Sequence, residues 1–165
     1  QRPWRVGNEA AVRCLFVLAV ETAMRLREMF TLTLAQVDLA RKTIFLDKTK
    51  NGDKRQVPLS SVALQVLRDY LPHAAEGQLF PWWDGQQKTL PATSDYLSKL
   101  FAAIFIQAGA QSLRFHDLRH EATSRLFERT RLTDLQIMRI TGHKSHRMLM
   151  RYANLRGSDL SEQLW

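Results

Sequence analysis

The sequence has few of the features that staple or anchor small proteins. Its 165 residues include one cysteine, Cys14, so an internal disulfide is excluded, and the apolar segment VRCLFVLAV around it predicts a buried structural thiol. No cysteine and histidine residues have the spacing of a zinc site. No apolar run reaches the roughly 18 residues of a membrane span, and the opening QRPWRVGNEA does not resemble a signal peptide. These absences predict a cytoplasmic protein with no membrane association.

Acidic residues are the minority among the charged ones. Sixteen Asp and Glu residues stand against 24 Lys and Arg residues, which gives a net charge of +8 and a pI near 10.1. Such a balance favours a polyanionic partner, and nucleic acid is the commonest one. Charge alone does not separate a nucleic-acid binder from a merely basic soluble protein. Hydrophobic residues make up 45% of the chain, which is enough for one ordinary core.

The hydrophobic pattern predicts helices around one small sheet. Apolar residues at three- and four-residue steps predict a helix from Asn8, its N-cap, to Arg27, followed by a short helix over 27–34. Alternation around Ile44 and Leu46, an Asn51-Gly52 turn and a returning strand over 55–58 predict a hairpin. Ser60 is expected to cap a helix that reaches Tyr70. Further helices are predicted over 93–108, 116–129, 133–140, 145–152 and 158–164, with Gly109 closing the first of them.

No internal repeat or low-complexity segment interrupts this order of elements. We therefore predict one compact α+β domain, mainly α, with a three-stranded antiparallel sheet between about Val37 and Pro58.

Two short segments contain most of the side chains that are able to take part in a reaction. In HDLRH, His116 and Arg119 lie three residues apart and share one face of a helix. The arginine fork matches two phosphate oxygens, and an imidazole can move a proton at neutral pH. Taken alone, this is equally a polar helix start with Asp117 at the helix N-terminus. In TGH, Gly142 can end a helix in the left-handed conformation and expose His143 in a turn.

Upstream, the chain offers two further cationic positions. Arg25 has Glu28 three residues on, so the two can pair and fix the guanidinium, although surface pairs of this kind are usually of little consequence. Lys50 lies beside the predicted hairpin turn, where lysines are commonly solvated. A hairpin that carries Lys48, Lys50, Lys54 and Arg55 can also reach a DNA groove.

The order of these residues resembles one known family. It runs from an arginine to a lysine on a hairpin, then His-x-x-Arg, then Gly-His, then a tyrosine nine residues after that histidine. The chain resembles the tyrosine recombinases, also called the phage integrase family, from about Asn8 to about Leu155. The segments that carry the resemblance are TAMRLRE, TKNGDKRQVPLS, FHDLRHEATSRLFE and ITGHKSHRMLMRYANL. Their residue pattern looks most like that of the shufflon-type DNA-inversion recombinases. Arg27 stands where the family usually has glycine.

The resemblance implies a role for each matching residue. Tyr152 is the nucleophile that forms a 3′-phosphotyrosyl link, and Arg25 and Arg119 hold the non-bridging oxygens of the scissile phosphate. Lys50 is the general acid for the leaving 5′-hydroxyl, and His116 assists proton transfer. The remaining implied roles are a phosphate hydrogen bond for His143, support of the site for Glu28 and His120, and DNA binding for Lys48, Lys54, Arg55 and Lys144.

The family likeness also implies partners and an architecture. Residues 1–165 are expected to be the catalytic domain, with the N-terminal core-binding domain absent from this chain. The expected partners are double-stranded DNA and further copies of the protein, a tetramer in the synaptic complex, with the C-terminal tail on a neighbour. The protein is expected to be of bacterial or phage origin and associated with the nucleoid.

No metal site and no cofactor are predicted, because no carboxylate cluster suggests a two-metal centre. The alternatives are relaxation of DNA by a type IB topoisomerase-like enzyme, a non-catalytic DNA-binding module on the same fold, and a plain basic helical protein. The short tail and the match of TKNGDKRQVPL favour a recombinase over a topoisomerase.

Overall fold

The computed structural model describes residues 6–47, 54–152, 161 and 164. In these residues helices surround one small sheet, so the predicted mainly helical α+β fold is confirmed. In chain order the elements are α1 (Val6–Thr22), α2 (Leu26–Phe30), β1 (Val37–Asp38), β2 (Thr43–Leu46), β3 (Arg55–Pro58), α3 (Ser61–Tyr70), α4 (Leu90–Gln107), α5 (Phe115–Arg129), α6 (Asp134–Thr141) and α7 (His146–Met150). The predicted Asn51-Gly52 turn lies outside the described residues, as does nearly all of the predicted helix over 158–164.

The sheet is antiparallel with strand order β1-β2-β3, as predicted between Val37 and Pro58. Along β2 and β3, buried and exposed side chains alternate, because successive residues of a strand point to opposite faces. Val57 is fully buried on the core face. Arg55 lies two residues before it and therefore shares that face. An arginine is thus directed at the interior of the domain.

The core lies between the helices and the sheet. α1 packs against α3 and α5, α4 packs against α2 and α5, and α6 packs against both α5 and β3. The largest side chains that are fully buried between them include Leu15, Leu18, Phe30 and Phe101. Cys14 is buried in this core, as its apolar surroundings predicted, and burial raises the pKa of its thiol to about 12. None of the helices in the described part of the chain is long and apolar enough to span a bilayer.

The first helix differs from its prediction at both ends. It begins at Val6, so Asn8 lies inside it and is not its N-cap. It ends at Thr22 and does not reach Arg27, because Ala23 adopts a left-handed backbone with φ of 54°. The Thr22 hydroxyl donates to the Leu18 carbonyl at 2.6 Å, and it accepts the Met24 amide at 3.4 Å. The helix predicted over 27–34 is the shorter α2, Leu26–Phe30.

The remaining described helices agree with their predicted bounds to within three residues. Ser60 caps α3 as expected, since its hydroxyl accepts the Ala63 amide at 3.1 Å. Gly109 follows α4 with φ of 80°, and Gly142 ends α6 with φ of 74°. These left-handed glycines turn the chain at the points where the sequence indicated an end.

Candidate active site

α5 contributes two histidines to the surface and one arginine to the interior. The Asp117 carboxylate accepts the Arg114 amide at 2.8 Å and so caps the helix start. His116 and His120 are one turn apart, and their rings meet edge to face with centroids 4.8 Å apart. Arg119 points inward and is only 4% exposed.

Arg119 joins two distant points of the chain through their carbonyl oxygens. One guanidinium nitrogen donates to the Ala23 carbonyl at the break after α1, and the other donates to the Thr141 carbonyl at 2.7 Å. Burial and the charge of Arg25 lower the pKa of Arg119 to about 10, so it is still a cation at neutral pH. The break at Ala23 and the end of α6 are thereby held together around one buried positive charge.

Arg25 stands at the N-terminus of α2. Its backbone is extended, with φ of −76° and ψ of 151°, and its amide donates to Glu28 Oε2 at 2.8 Å. Its Nη1 donates to Glu28 Oε1 at 3.0 Å, so the pair expected from their three-residue spacing is present. The Arg25 side chain is 27% exposed, whereas that of Glu28 is 6% exposed. The carboxylate lies behind the arginine, as seen from solvent.

Arg55 occupies the other side of the same carboxylate. Its Nη1 and Nη2 donate to Glu28 Oε1 and Oε2 at 2.9 and 2.7 Å, and its Nε donates to the Ile140 carbonyl at 3.1 Å. Its side chain is 8% exposed. We expected Arg55 on a DNA-facing hairpin, but its register beside Val57 directs it inward. Burial raises the pKa of Glu28, yet hydrogen bonds and charge from Arg55, and then from Arg25, hold it below its ordinary value.

His143 follows Gly142 directly and is half-buried. Its Nδ1 lies 2.6 Å from Thr141 Oγ1, and that hydroxyl donates its one hydrogen to the Ile137 carbonyl at 2.9 Å. The threonine oxygen therefore accepts from Nδ1, which leaves Nε2 of a neutral His143 without a hydrogen. Burial, followed by the charges of Arg119 and Arg25, lowers the pKa of His143 to about 4, so the neutral ring predominates at pH 7.

Tyr152 lies in the turn after α7, where its amide donates to the Leu149 carbonyl at 2.8 Å. Its hydroxyl forms a hydrogen bond with Nδ1 of His120. Its ring centroid lies 5.6 Å from that of His120 and 5.9 Å from that of His143. A phenol at the end of one short helix thus meets imidazoles from two other elements.

These contacts bring together most of the residues that the sequence singled out. Burial, followed by the charges of His120, Arg119 and Arg25, lowers the pKa of His116. We call the group the Arg–His–Tyr cluster: Arg25, His116, Arg119, His120, His143 and Tyr152.

The structure describes two of the four lysines that the sequence singled out. Lys48 and Lys50 lie outside the described residues, and Lys54 and Lys144 are exposed. Among the described residues, no group of three or more His, Cys, Asp or Glu side chains could hold a metal ion.

Three contributors were missed in the sequence. The Ala23 carbonyl binds Arg119 only because the chain breaks there, and the pattern of apolar residues gives no sign of that break. Thr141 stands in the TGH segment, and its burial before a left-handed glycine suits a structural hydroxyl. The pairing of Arg55 with Glu28 joins residues 27 apart, which no helical or strand spacing indicates.

A model of the phage integrase family matches residues 6–158. The chain belongs to the phage integrase family.

Relatives within the family agree with the likeness predicted from the sequence. A shufflon-specific DNA recombinase of Escherichia coli is 37% identical over 150 residues, which cover 91% of this chain and 36% of the relative. The catalytic domain of bacteriophage HP1 integrase has a TM-score of 0.58 and 27% identity, over 90% of this chain and 77% of that one.

A third comparison shows the fold alone. The XerH site-specific recombinase bound to difH substrate has a TM-score of 0.73 at 23% identity, over 98% of this chain and 48% of that one. The chain spans about two fifths of the length of the curated relatives it matches.

Proposed function

We propose that residues 1–165 form the catalytic domain of a site-specific DNA recombinase that cuts and rejoins strands through a 3′-phosphotyrosyl intermediate. The observation that carries this proposal is the Tyr152 hydroxyl, which is hydrogen-bonded to His120 inside a cluster with two arginines. Membership of the phage integrase family supports it. The relatives reported above are recombinases or integrases, and nothing in them favours DNA relaxation without strand exchange.

The two arginines account for binding of the scissile phosphate. In the transition state a phosphodiester gathers negative charge on its non-bridging oxygens, and fixed cations stabilise that charge. Arg119 is held rigidly by two carbonyls and Arg25 by Glu28, so neither has to reorganise when a phosphate arrives. Preorganised donors of this kind stabilise a transition state more than mobile surface charges do.

The histidines account for the proton of the nucleophile. Tyrosine is a weak nucleophile near neutral pH, so its hydroxyl must lose a proton as it attacks. His120 Nδ1 orients that hydroxyl and accepts its proton as the bond from Tyr152 Oη to phosphorus forms and the bond to the 5′-oxygen breaks. His116 packs against the His120 ring and assists, and because its pKa is lowered it is a neutral base at pH 7. Rejoining reverses these transfers.

The remaining roles follow the family assignment. Lys50 supplies the proton to the leaving 5′-oxygen, and His143 hydrogen-bonds a phosphate oxygen. That bond needs a hydrogen on Nε2, which His143 gains either by taking up a proton or by a tautomer change in which the Thr141 hydroxyl turns to donate to Nδ1. Lys48, Lys54 and Lys144 contact the DNA backbone. No metal and no cofactor take part in this scheme.

The whole protein is proposed to work as an assembly on DNA. An N-terminal core-binding domain completes the clamp around double-stranded DNA, and four copies meet in the synaptic complex with each C-terminal tail on a neighbour. The site of action is the cytoplasm of a bacterium, at the nucleoid. The relatives named recombinase support DNA as the substrate.

The proposal is tested by trapping the intermediate. The full-length protein is mixed with a nicked DNA substrate that loses the strand beyond the cut, with EDTA present. A covalent protein–DNA adduct is expected on a denaturing gel. Tyr152→Phe removes only a hydroxyl, so it should fold and bind DNA but form no adduct. Tyr96→Phe, an exposed tyrosine on α4, is the matched control and should react like the wild type. An adduct with Tyr152→Phe would mean that another residue is the nucleophile.

The role of Lys50 has its own test. Lys50→Ala should slow cleavage strongly on ordinary DNA. It should slow cleavage much less when sulfur replaces the 5′-bridging oxygen, because a thiolate leaves without a general acid. An equal loss on both substrates would assign Lys50 to binding and not to proton transfer.

A further inference from the structure

Glu28 is a buried carboxylate that serves two arginines unequally. Arg55 binds both of its oxygens side by side, at 2.9 and 2.7 Å, whereas the Arg25 side chain reaches it through one nitrogen at 3.0 Å. Paired, two-oxygen contacts of this kind are the stronger and more specific ones. Arg55 is also the more buried arginine, with 8% of its side chain exposed against 27% for Arg25. The exposed partner is the one proposed to bind phosphate.

The net charge of the group formed by Glu28, Arg25 and Arg55 depends on Arg55. One carboxylate and two guanidinium groups leave one positive charge, and that charge is on the side that faces solvent. Without Arg55, Glu28 and Arg25 alone would be a neutral ion pair. A neutral pair stabilises a phosphate far less, because the carboxylate cancels the cation at short range.

We propose that Arg55 is a positioning residue that compensates the charge of Glu28, so that Glu28 can orient Arg25 without cancelling its charge toward the scissile phosphate. This inference rests on the proposed function. It assigns Arg55 a part in the reaction that needs no contact with DNA, in place of the groove contact expected from the sequence.

The position of Arg55 is fixed independently of Glu28. Its Nε donates to the Ile140 carbonyl at 3.1 Å, in the last turn of α6. A methyl group added at Gly142 would lie 2.7 Å from its Nη1 and 3.1 Å from its Cζ. The chain therefore passes directly over the guanidinium just before it reaches His143. Arg55 thus connects β3 to Glu28, which holds Arg25, and to the end of α6, which leads into His143.

A double-mutant cycle in the full-length protein tests the charge compensation. With Glu28 present, Arg55→Gln should slow adduct formation on the order of a hundredfold, the effect of removing one preorganised charge. In a Glu28→Gln background the carboxylate is gone, so adding Arg55→Gln should change the rate by less than about threefold. Arg55→Lys keeps the charge without the fork and should react faster than Arg55→Gln. Folded fractions are measured by circular dichroism, and rates are corrected for them.

A neutral substrate separates charge compensation from a merely structural role. When a methyl group replaces one non-bridging oxygen of the scissile phosphate, the group has no charge to neutralise. The deficit of Arg55→Gln relative to the wild type should shrink at least about tenfold on this methylphosphonate DNA. A loss of folding or of loop order would reduce cleavage of both substrates by the same factor.

Controls keep this inference distinct from the proposed function. Arg41 is exposed, and its Nε lies 3.8 Å from Asp38 Oδ2, so Arg41→Gln should leave the rate of adduct formation unchanged. If the wild type forms no adduct, the proposed function fails. If the wild type reacts and Arg55→Gln reacts equally fast, or costs as much activity in the Glu28→Gln background as it does with Glu28 present, charge compensation by Arg55 is overturned. If Arg55→Gln does not fold, a difference of more than about threefold between Glu28→Gln and the double variant, which lacks the buried charge, still overturns charge compensation.

Discussion

Two arginines meet at the break between α1 and α2, and they are held by partners of opposite kinds. Arg119 binds the neutral carbonyls of Ala23 and Thr141, whereas Arg25 binds a carboxylate, Glu28. Arg119 is buried and joins elements that are far apart in the sequence. Arg25 is partly exposed and is held by its own helix. We therefore expect the fold to depend on Arg119 and much less on Arg25.

The difference shows two ways to keep a cation available beside a phosphate. Carbonyl dipoles orient Arg119 without cancelling its charge, and the loss of water lowers its pKa to about 10 but leaves it charged. A carboxylate orients Arg25 more strongly but would cancel its charge, and Arg55 offsets that cancellation. Four experiments test this contrast.

The largest effect is expected from removing each arginine in turn. Arg119→Ala leaves two buried carbonyls without donors, which should destabilise the domain by roughly 2–5 kcal/mol. Arg25→Ala leaves Glu28 paired with Arg55, so it should change stability by less than about 1 kcal/mol. Urea unfolding measures both, and both variants should lose adduct formation. An equal destabilisation by the two substitutions would contradict the division of roles.

The second experiment concerns Gly142 and the space around Arg55. Gly142→Ala forces an alanine into a left-handed backbone and against the guanidinium. Gly109→Ala is the matched control, because its φ is 80° and a methyl group there meets nothing within 4 Å. The left-handed backbone should lower the free energy of unfolding of both variants by about 1 kcal/mol. The contact with Arg55 should lower that of Gly142→Ala by roughly a further 1–2 kcal/mol. Thermal unfolding measures the difference. Equal losses of stability in the two variants would show that the Arg55 side chain moves aside at no cost in stability.

The third experiment concerns the left-handed Ala23. Ala23→Gly and Ala19→Gly each delete a buried methyl group, but only Ala23 has a positive φ. Glycine removes the backbone strain at Ala23, whereas at Ala19 it loses helix propensity. Ala23→Gly should therefore be less destabilising than Ala19→Gly by about 1–2 kcal/mol in urea unfolding. A larger loss of stability in Ala23→Gly would mean that the buried methyl group of Ala23 stabilises the fold by more than its backbone strain destabilises it.

At neutral pH the smallest effect is expected at His143, which lies near both arginines, because its ring is mostly uncharged there in the folded and the unfolded chain and its effect appears only as the pH falls. Its pKa is about 4 in the folded domain, below the ordinary value of 6.5. The unfolded chain therefore binds more protons between these values, and stability should fall as the pH is lowered from about 6.5 to about 4. His143→Gln should flatten that slope in urea unfolding, and His73→Gln controls for the loss of an exposed imidazole. An unchanged slope in His143→Gln would exclude His143 as its source.

The features predicted from the sequence are those with local causes. Ser60 caps α3 through its own hydroxyl, Gly142 supplies the left-handed turn, and the pairing of Arg25 with Glu28 follows from helix spacing. The end of α1 was predicted wrongly, because the apolar pattern continues through Ala23 and only a distant arginine marks the break. Arg55 was expected at a surface because the hairpin is basic, but strand register and a carboxylate 27 residues away direct it inward.

In the proposed reaction, Tyr152 of the Arg–His–Tyr cluster forms the covalent bond to DNA. Its most direct test is to digest the trapped adduct with trypsin and nuclease and to locate the attached nucleotide by mass spectrometry. Trypsin cleaves after Arg156, so the modified peptide should end there and should contain Tyr152 as its only tyrosine. We expect a nucleotide linked through a 3′-phosphate to Tyr152, with EDTA present throughout. A nucleotide on any other residue, or no adduct from a folded wild-type protein that binds its DNA, would contradict it.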